Sequence, residues 1–316
     1  MTLSIIIVSY NTKELLEACL DSIKASLDNQ KNKKIKNLSL SDIEVIIVDN
    51  NSTDGTREYL KQLTVDSQKL KVKTILNNDN VGFARANNQG IRRAEGKYIL
   101  LLNSDTVVTE KDFFDQIINF LERNKKVAIL GPKLLWENGR VQSSGGYFPT
   151  LPRLITWALM FDDLPLVNKI IKPYHPHQPN FYTKDSYYQK IHYQDWVTGA
   201  CFFIKRGVVD KIGLLDENIF MYTEEMEYCY RVKRAGFKIV YYPKASLVHL
   251  GGKSGTSLLA AKGEFWGIKY FYQKHRPVWQ KPIVSLLLKK AALLRKILFY
   301  QNKEKRQIYQ QILTSL

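Results

Sequence analysis

Residues 45–56 read VIIVDNNSTDGT: four β-branched apolar residues, then eight polar or turn-forming ones. The apolar half has the character of a short strand buried on both faces, and the polar half that of a loop at its carboxyl end. The same pattern stands upstream in SIIIVSYN (Ser4–Asn11) and downstream in YILLLNSD (Tyr98–Asp105). Between these runs the apolar spacing changes to that of helices. Leu15, Leu16, Cys19, Leu20 and Ile23 share one helical face, and further helices are expected near Arg57–Leu63 and Phe83–Ala94, with a strand near Val72–Leu76. Strands alternating with helices predict an α/β fold with a doubly wound, mostly parallel, Rossmann-like sheet. Ligands of such sheets bind beyond the carboxyl ends of the strands, so the loops after Val8, Val48, Leu76 and Leu102 should converge on one crevice.

A length of 316 residues with 45% hydrophobic residues supports a substantial core and excludes wholesale disorder. The net charge of +17 favours an anionic partner without choosing among nucleic acid, acidic lipid and phosphorylated small molecules. Three cysteines, Cys19, Cys201 and Cys229, are odd in number and far apart, which points to a reducing compartment. The N-terminal segment has neither a basic leader nor a small-residue cleavage site, and no apolar run reaches the length of a spanning helix. The expected location is the cytoplasm.

Residues 28–42 are polar and lysine-rich and read as an exposed loop. From about 132 to 195 the pattern breaks into Gly-, Pro- and aromatic-rich sequence around a brief apolar helix, where acceptor recognition is expected. Regularity returns with a strand at Trp196–Ile204, a helix at Glu224–Ala235 and a strand at Lys238–Tyr241, before amphipathic helices from about Leu258 onward.

The polar strand ends carry the chemistry. Asp49 exits a buried strand, where a carboxylate can accept from a nucleobase N–H or ribose hydroxyls; Asp54 can do the same or simply cap the next helix. Asn103-Ser104-Asp105 supplies oxygen ligands suited to Mg2+ or Mn2+ held partly by a diphosphate. His249, followed by Gly251 and Gly252, is the candidate second ligand. Glu224, Glu225 and Glu227 open a helix, where the dipole favours acid. The approach through FMYTEEMEY is apolar and aromatic, surroundings that raise the basicity of a carboxylate toward that of a general base.

These segments together resemble family 2 inverting glycosyltransferases of the GT-A fold, particularly the bacterial rhamnosyltransferase-type branch. SIIIVSYN, VIIVDNNSTDGT, NVGFARANNQGI, YILLLNSD, WVTGACFFIKR, FMYTEEMEYCYRVKRAGFKI and VHLGGKSG occur in the family's order over residues 1–255. The resemblance implies a catalytic domain at 1–255, with a nucleotide-sugar half at about 1–131 and an acceptor half at about 132–255, followed by a helical extension at 256–316. It implies that Ser9, Tyr10, Asn11, Asp49 and Asn51 hold the nucleoside, with Arg85, Asn87 and Asn88 lining the same pocket. Asp105 would coordinate the metal with His249, with Asn103 and Ser104 beside the diphosphate. Asn103 stands where the family often has Asp, which implies a polar or water-mediated contact. Glu225 aligns with the catalytic base, usually Asp, and Glu224 is its rival. Trp196, Thr198 and Gly199 would border the acceptor. The donor is then a dTDP- or UDP-sugar, with rhamnose suggested by resemblance, and the acceptor a saccharide or lipid-linked saccharide of a bacterial surface glycan.

Residues 282–300 interleave apolar residues with Lys289, Lys290, Arg295 and Lys296, as in a helix lying on the inner face of an anionic membrane. Packing on the catalytic domain or a homodimer would serve the same apolar stripe. A nucleic-acid-binding or other anionic-surface protein is the competing class, yet no zinc-ligand, helix-turn-helix or RNP-type motif accompanies the charge. A nucleotidyltransferase is the nearer rival, and the sequence lacks the glycine-rich basic loop that holds a triphosphate.

Overall fold

A computed structural model describes residues 1–28, 38–66, 70–162, 164–176, 186–251 and 257–316. Most of the lysine-rich 28–42 segment, part of the acceptor-side region and Gly252 lie outside the described residues. In chain order the elements are β1 (Leu3–Ser9), α1 (Lys13–Asp28), β2 (Ile43–Asp49), α2 (Thr56–Asp66), β3 (Lys71–Leu76), α3 (Phe83–Arg93), β4 (Tyr98–Asn103), β5 (Thr106–Val107), α4 (Phe113–Arg123), β6 (Val127–Leu135), β7 (Val141–Gln142), α5 (Leu151–Ala158), α6 (Pro165–Ile170), β8 (His192–Tyr193), β9 (Cys201–Lys205), α7 (Arg206–Ile212), α8 (Glu224–Arg234), β10 (Lys238–His249), α9 (Ser257–His275), α10 (Gln280–Leu298) and α11 (Lys303–Ser315).

The sheet runs β3-β2-β1-β4-β9-β6-β10-β5. β3, β2, β1 and β4 are parallel, as the alternation of strands and helices predicts. β9 enters antiparallel between β4 and β6, and β6 is parallel to β10. Alternate residues of the central strands feed opposite cores. Ile5, Ile7, Val45, Ile47, Leu100 and Leu102 face α1 and α4, whereas Ile6, Ile46, Ile99 and Leu101 join the cluster that holds α5, α8, α9 and α10. The unbroken apolar runs follow from this burial on both faces.

The expected strand at Trp196–Ile204 is shorter, covering Cys201–Lys205, because residues 197–200 turn into the crevice. The expected strand at Lys238–Tyr241 continues to His249, with a register shift between Tyr242 and Ser246. That extension carries His249 to the carboxyl edge. Phe265, Ile268, Phe271, Val284, Leu288 and Ile312 of the last three helices share one cluster with Ile6 and Phe202.

Candidate active site

Parallel register places the ends of β1, β2 and β4 side by side: Ser9 pairs with Asp49, and Val8 with Asn103. The loops beyond them are bonded to one another. The Ser9 hydroxyl meets Thr12 Oγ1 at 3.0 Å, which meets Ser104 Oγ at 3.0 Å. Asn11, with φ +54°, accepts from Thr53 N–H at 2.7 Å and donates its own N–H to Ser52 Oγ at 2.9 Å. Ser9 and Asn11 therefore tie loops together, and Tyr10, exposed between them, borders a cavity of about 180 Å³ with Asn50, Phe83, Asn103 and Ser104. Gly82 admits the wall of this cavity, since at φ +86° a Cβ would stand 2.6 Å from the Phe220 carbonyl oxygen.

Asp49 is fully buried. Its Oδ2 accepts from Ser52 N–H at 3.1 Å and faces Arg57 Nε at 3.7 Å, while its Oδ1 has no partner. Asn51 accepts from Arg57 Nη1 at 3.0 Å and so holds that arginine in place. Asp54 takes its bland role: it accepts from Lys13 N–H and from the N–H and hydroxyl of Thr56, which holds its carboxyl below the usual range despite partial burial.

Arg85, Asn87 and Asn88 depart from the expectation that they line the nucleotide pocket. Arg85 donates to Glu217 at 3.2 Å, Asn87 to the Phe83 carbonyl at 2.9 Å, and Asn88 to the Leu215 carbonyl at 2.9 Å while accepting from Leu215 N–H. Arg85 and Asn88 dock α3 on the 215–217 segment, Asn87 bonds within its own helix, and Gly82 and Phe83 are left to face the cavity.

Asp105 and His249 come together because β5 pairs with the end of β10, setting Thr106 opposite His249. His249 Nε2 lies 3.3 Å from Asp105 Oδ1. Both Asp105 carboxylate oxygens are buried without a hydrogen-bond partner, and so is Asn103 Oδ1. Orphaned buried carboxylate oxygens are costly unless something occupies the space before them. His249 Nδ1 lies 2.6 Å from Gln142 Oε1, an amide oxygen that can only accept. A neutral imidazole bonded in this way carries its proton on Nδ1, which leaves Nε2 beside Asp105 free to ligate a cation. A divalent cation fits between these groups: a carboxylate with two free oxygens, a neutral imidazole nitrogen and a second-sphere acceptor that fixes the tautomer. Among the described residues no third His, Cys, Asp or Glu completes the set. Gly251, at φ +57°, could carry no side chain, because a Cβ would meet the Trp136 ring at 2.6 Å.

Glu224 and Glu225 are presented by a strained turn. Tyr222 and Thr223, neither of them glycine, sit at φ +67° and +72° immediately before α8. Such residues cost about 1–3 kcal/mol each and persist only where their surroundings impose them. Helix α9 does so here. Its Gly263 and Gly267 receive the side chains of Tyr222 and Thr223, and a Cβ at Gly267 would overlap the Thr223 hydroxyl. Glu225 Oε1 accepts weakly from Gly199 N–H at 3.4 Å, and the Oε2 atoms of both glutamates are buried without partners. Burial pushes the Glu224 carboxyl well above its ordinary range and Glu225 beside it adds to the effect; burial raises Glu225 too, offset by backbone N–H groups including that of Gly199. Glu227, by contrast, is fully paired with Arg231, Lys274 and His275, which outweigh its burial and hold its carboxyl down at about 2.

Two cavities meet at Glu225. One of about 140 Å³ holds Asn103, Asp105, Gly199, Glu224 and His249. The other, of about 490 Å³, is walled by Tyr174, His175, Trp196, Thr198 and Glu264. Trp196 Nε1 is buried there without a partner, and His175 Nε2 lies 3.1 Å from Glu264 Oε1. Sequence reasoning missed Gln142, His175 and the Tyr222-Thr223 turn. His175 belongs to the aromatic-rich segment read as acceptor-side, whereas Gln142 gave no signal.

The N-acetylglucosaminyl-diphospho-decaprenol L-rhamnosyltransferase of Mycobacterium tuberculosis is 23% identical over 298 residues, 89% of this chain and 87% of the relative. The structure of the mannosyltransferase PcManGT from Pyrobaculum calidifontis, in complex with GDP-Man and Mn2+, covers 99% of this chain and 84% of its own at a TM-score of 0.56 and 17% identity. That of GalNAc-T7 with UDP, GalNAc and Mn2+ covers 86% of this chain at a TM-score of 0.58 and 17% identity, and the chain spans 47% of it. These likenesses show a GT-A fold. The profile of glycosyl transferase family 2 matches residues 4–213, most of the sequence, and the chain therefore belongs to that family and is a glycosyltransferase.

Proposed function

We propose that this enzyme transfers a sugar, with inversion at the anomeric carbon, from a nucleoside diphosphate donor to a hydroxyl of a saccharide or lipid-linked saccharide in glycan assembly. The observation that carries this reading is the position of Glu225, which borders both the cavity of Asp105 and His249 and the larger cavity of Trp196 and His175. A base there reaches an acceptor hydroxyl from one side while the donor lies on the other. Glu225 takes the hydroxyl proton on Oε2, its unpartnered oxygen, and the attacking oxygen displaces the diphosphate from the opposite face of the sugar. Glu224, whose carboxyl burial and Glu225 raise further, holds its proton more tightly than Glu225, which leaves Glu225 the better base of the pair.

Asp105 and His249 would hold Mg2+ or Mn2+, whose chemistry is to neutralise charge on the departing diphosphate. Tyr10 offers its ring to the nucleobase, and the free Asp49 Oδ1, one residue before cavity-lining Asn50, an acceptor for a base N–H or ribose hydroxyl. Asn103 and Ser104 flank the diphosphate, and Trp196, Thr198 and Gly199 the acceptor. Ser9, Asn11 and Asn51 shape the loops from behind. Residues 1–131 are the donor half and 132–255 the acceptor half, with 256–316 buttressing both. The name of the Mycobacterium relative makes dTDP-rhamnose the first donor to test, with UDP-sugars next.

The test is Glu225→Gln. Calorimetry should show donor binding retained, and transfer should fall by about 10²–10⁴ or more. Wild-type turnover in the variant overturns the assignment, and release of pyrophosphate in place of nucleoside diphosphate would mark a nucleotidyltransferase.

A further inference from the structure

The apolar stripe of α10 is divided between two surfaces. Val284, Leu288, Ala291 and Ala292 are buried, with Arg295 reaching the Trp157 carbonyl at 3.0 Å and stacking 4.4 Å from the Trp157 ring. This side is internal packing. The opposite side of the same helix presents Leu286, Leu293 and Ile297 to solvent, with Lys289 and Lys290 among them. Exposed Trp279 and Tyr300 bracket the helix at its two ends.

Arg295 also brings α5 to this helix, and the chain leaving α5 exposes several large apolar side chains. Leu159, Phe161 and Leu164 are exposed there, and on α6 Leu166 and Ile170 are 77% and 85% exposed. So many exposed apolar side chains on α6, the α5 exit and α10 exceed the scattered exposure normal for a soluble surface.

We propose that α6, the α5 exit and the outward face of α10 form one surface that lies in the interface of an anionic membrane. Charge decides between lipid and a second copy of this chain. On α10 Lys281, Lys289, Lys290 and Lys296 lie in a stretch, 276–303, without Asp or Glu, and α6 with the residues after it adds Lys169 and Lys172; of the two acids at the α5 exit, Asp162 is buried and Asp163 lies outside the described residues. Two copies meeting through this surface would bring like charges together, whereas anionic headgroups complement them. Trp and Tyr at the helix ends suit the headgroup level, where an apolar ring with a polar edge is half solvated. No helix among the described residues is long and apolar enough to cross a membrane, which agrees with a surface that rests on lipid. The large cavity is one ring away: Trp157 meets Tyr174 edge-on at 6.4 Å, and Tyr174 lines that cavity. The inference stands on this surface alone and is read independently of transfer activity.

The experiment is flotation of the full chain with vesicles of phosphatidylcholine, with and without phosphatidylglycerol, alongside sedimentation velocity. Wild type should float with the anionic vesicles and remain behind with neutral ones at moderate salt. L166E/I170E and L293E/I297E should each lower partition about tenfold or more. Should either unfold, K289Q/K290Q, which touches only exposed lysines, should lower partition to anionic vesicles by a similar factor. Wild type that does not float overturns the proposal, as does equal flotation of folded variants. A wild-type dimer made monomeric by the same substitutions, without vesicle binding, would assign the surface to a second copy instead.

Discussion

Gln142 Oε1 stands 2.6 Å from His249 Nδ1, and His249 Nε2 in turn stands 3.3 Å from Asp105 Oδ1. Two strand pairings make this line. β7 folds back on β6 to set Gln142 opposite Leu134, and β5 meets the end of β10 to set Thr106 opposite His249. An amide oxygen cannot donate, so a neutral imidazole here carries its proton on Nδ1 and leaves Nε2 free to ligate a cation.

Gln142→Leu should consequently weaken Mn2+ about 10–100-fold while leaving the fold intact, because the ring loses its orientation and not its ligand atom. Mn2+ titration of nucleotide-dependent binding, followed by calorimetry, reads this directly. Unchanged metal affinity would show that strand pairing alone orients His249.

Asp105→Asn should separate function from stability. Both oxygens of Asp105 are buried without hydrogen bonds, so the ion-free protein carries an unfavourable charge that the amide removes. The variant's thermal midpoint should equal or exceed that of wild type in chelator. Adding Mn2+ with a nucleoside diphosphate at about 100 times Kd should stabilise wild type by about 2.7 kcal/mol and the variant by little. A variant less stable than wild type in chelator would make the Asp105–His249 contact a structural ion pair.

The strand ends were legible because each pairs an unbroken apolar run with a polar loop, and parallel register then obliges those loops to meet. Asp105, His249 and the two glutamates followed from that rule and from the family's motif order. Gln142 was not legible, since its role depends on a two-residue strand folding back on β6. Arg85 and Asn88 were misplaced for a related reason: a turn that borders a pocket need not aim its polar side chains into it, and Glu217 and the Leu215 carbonyl compete for them. The Trp196–Ile204 run looked like continuous strand because its apolar residues are buried, yet residues 197–200 turn before the strand begins at Cys201. In the tail, helical spacing revealed amphipathicity but not that apolar residues occupy both sides of α10.

Glu224 and Glu225 should titrate in different ranges. Burial raises both, Glu224 the more, so Glu225 ionises first and activity should rise with pH through an apparent pKa above the ordinary value of 4.5. Glu224→Gln mimics the protonated neighbour and should retain most of the activity, unlike Glu225→Gln. Stability carries the same signature. A carboxyl whose folded pKa is raised contributes stability that is complete below 4.5 and lost as pH climbs through the folded value. Urea unfolding of Glu224→Gln should therefore show a weaker decline toward alkaline pH than wild type, and parallel curves would refute the raised pKa.

Glu227 predicts the opposite slope. Its carboxyl is held at about 2 by His275, Arg231 and Lys274, so its contribution is complete above 4.5 and lost as pH falls toward the lower value. Because Lys274 and His275 belong to α9, this cluster ties the last helices to α8. Glu227→Gln should cost about 2 kcal/mol at neutral pH by removing the buried carboxylate that joins Arg231, Lys274 and His275, with kcat changed little once the protein is folded. Equilibrium unfolding and steady-state rates on the same preparation check both halves.

Gly267 offers the sharpest test that α9 shapes the turn before Glu225. Its missing side chain is the space occupied by Thr223, and Thr223 with Tyr222 holds the left-handed backbone that aims Glu225 between the two cavities. Gly267→Ala keeps α9 helical and even improves its propensity, by about 1 kcal/mol in an exposed helix, so a purely helical effect would stabilise. The methyl group instead competes with the Thr223 hydroxyl and must displace the turn. A displacement of about 1 Å can cost about 10²-fold in rate when it moves a catalytic group. The expected result is a large fall in kcat with donor affinity preserved, because Tyr10, Asp49 and Asp105 lie on other elements. Thr223→Ala, which removes both the hydroxyl and the methyl that the new side chain would overlap, should restore part of the rate in the Gly267→Ala background by giving the turn room. Full activity in Gly267→Ala would mean that the turn holds its shape without the helix behind it.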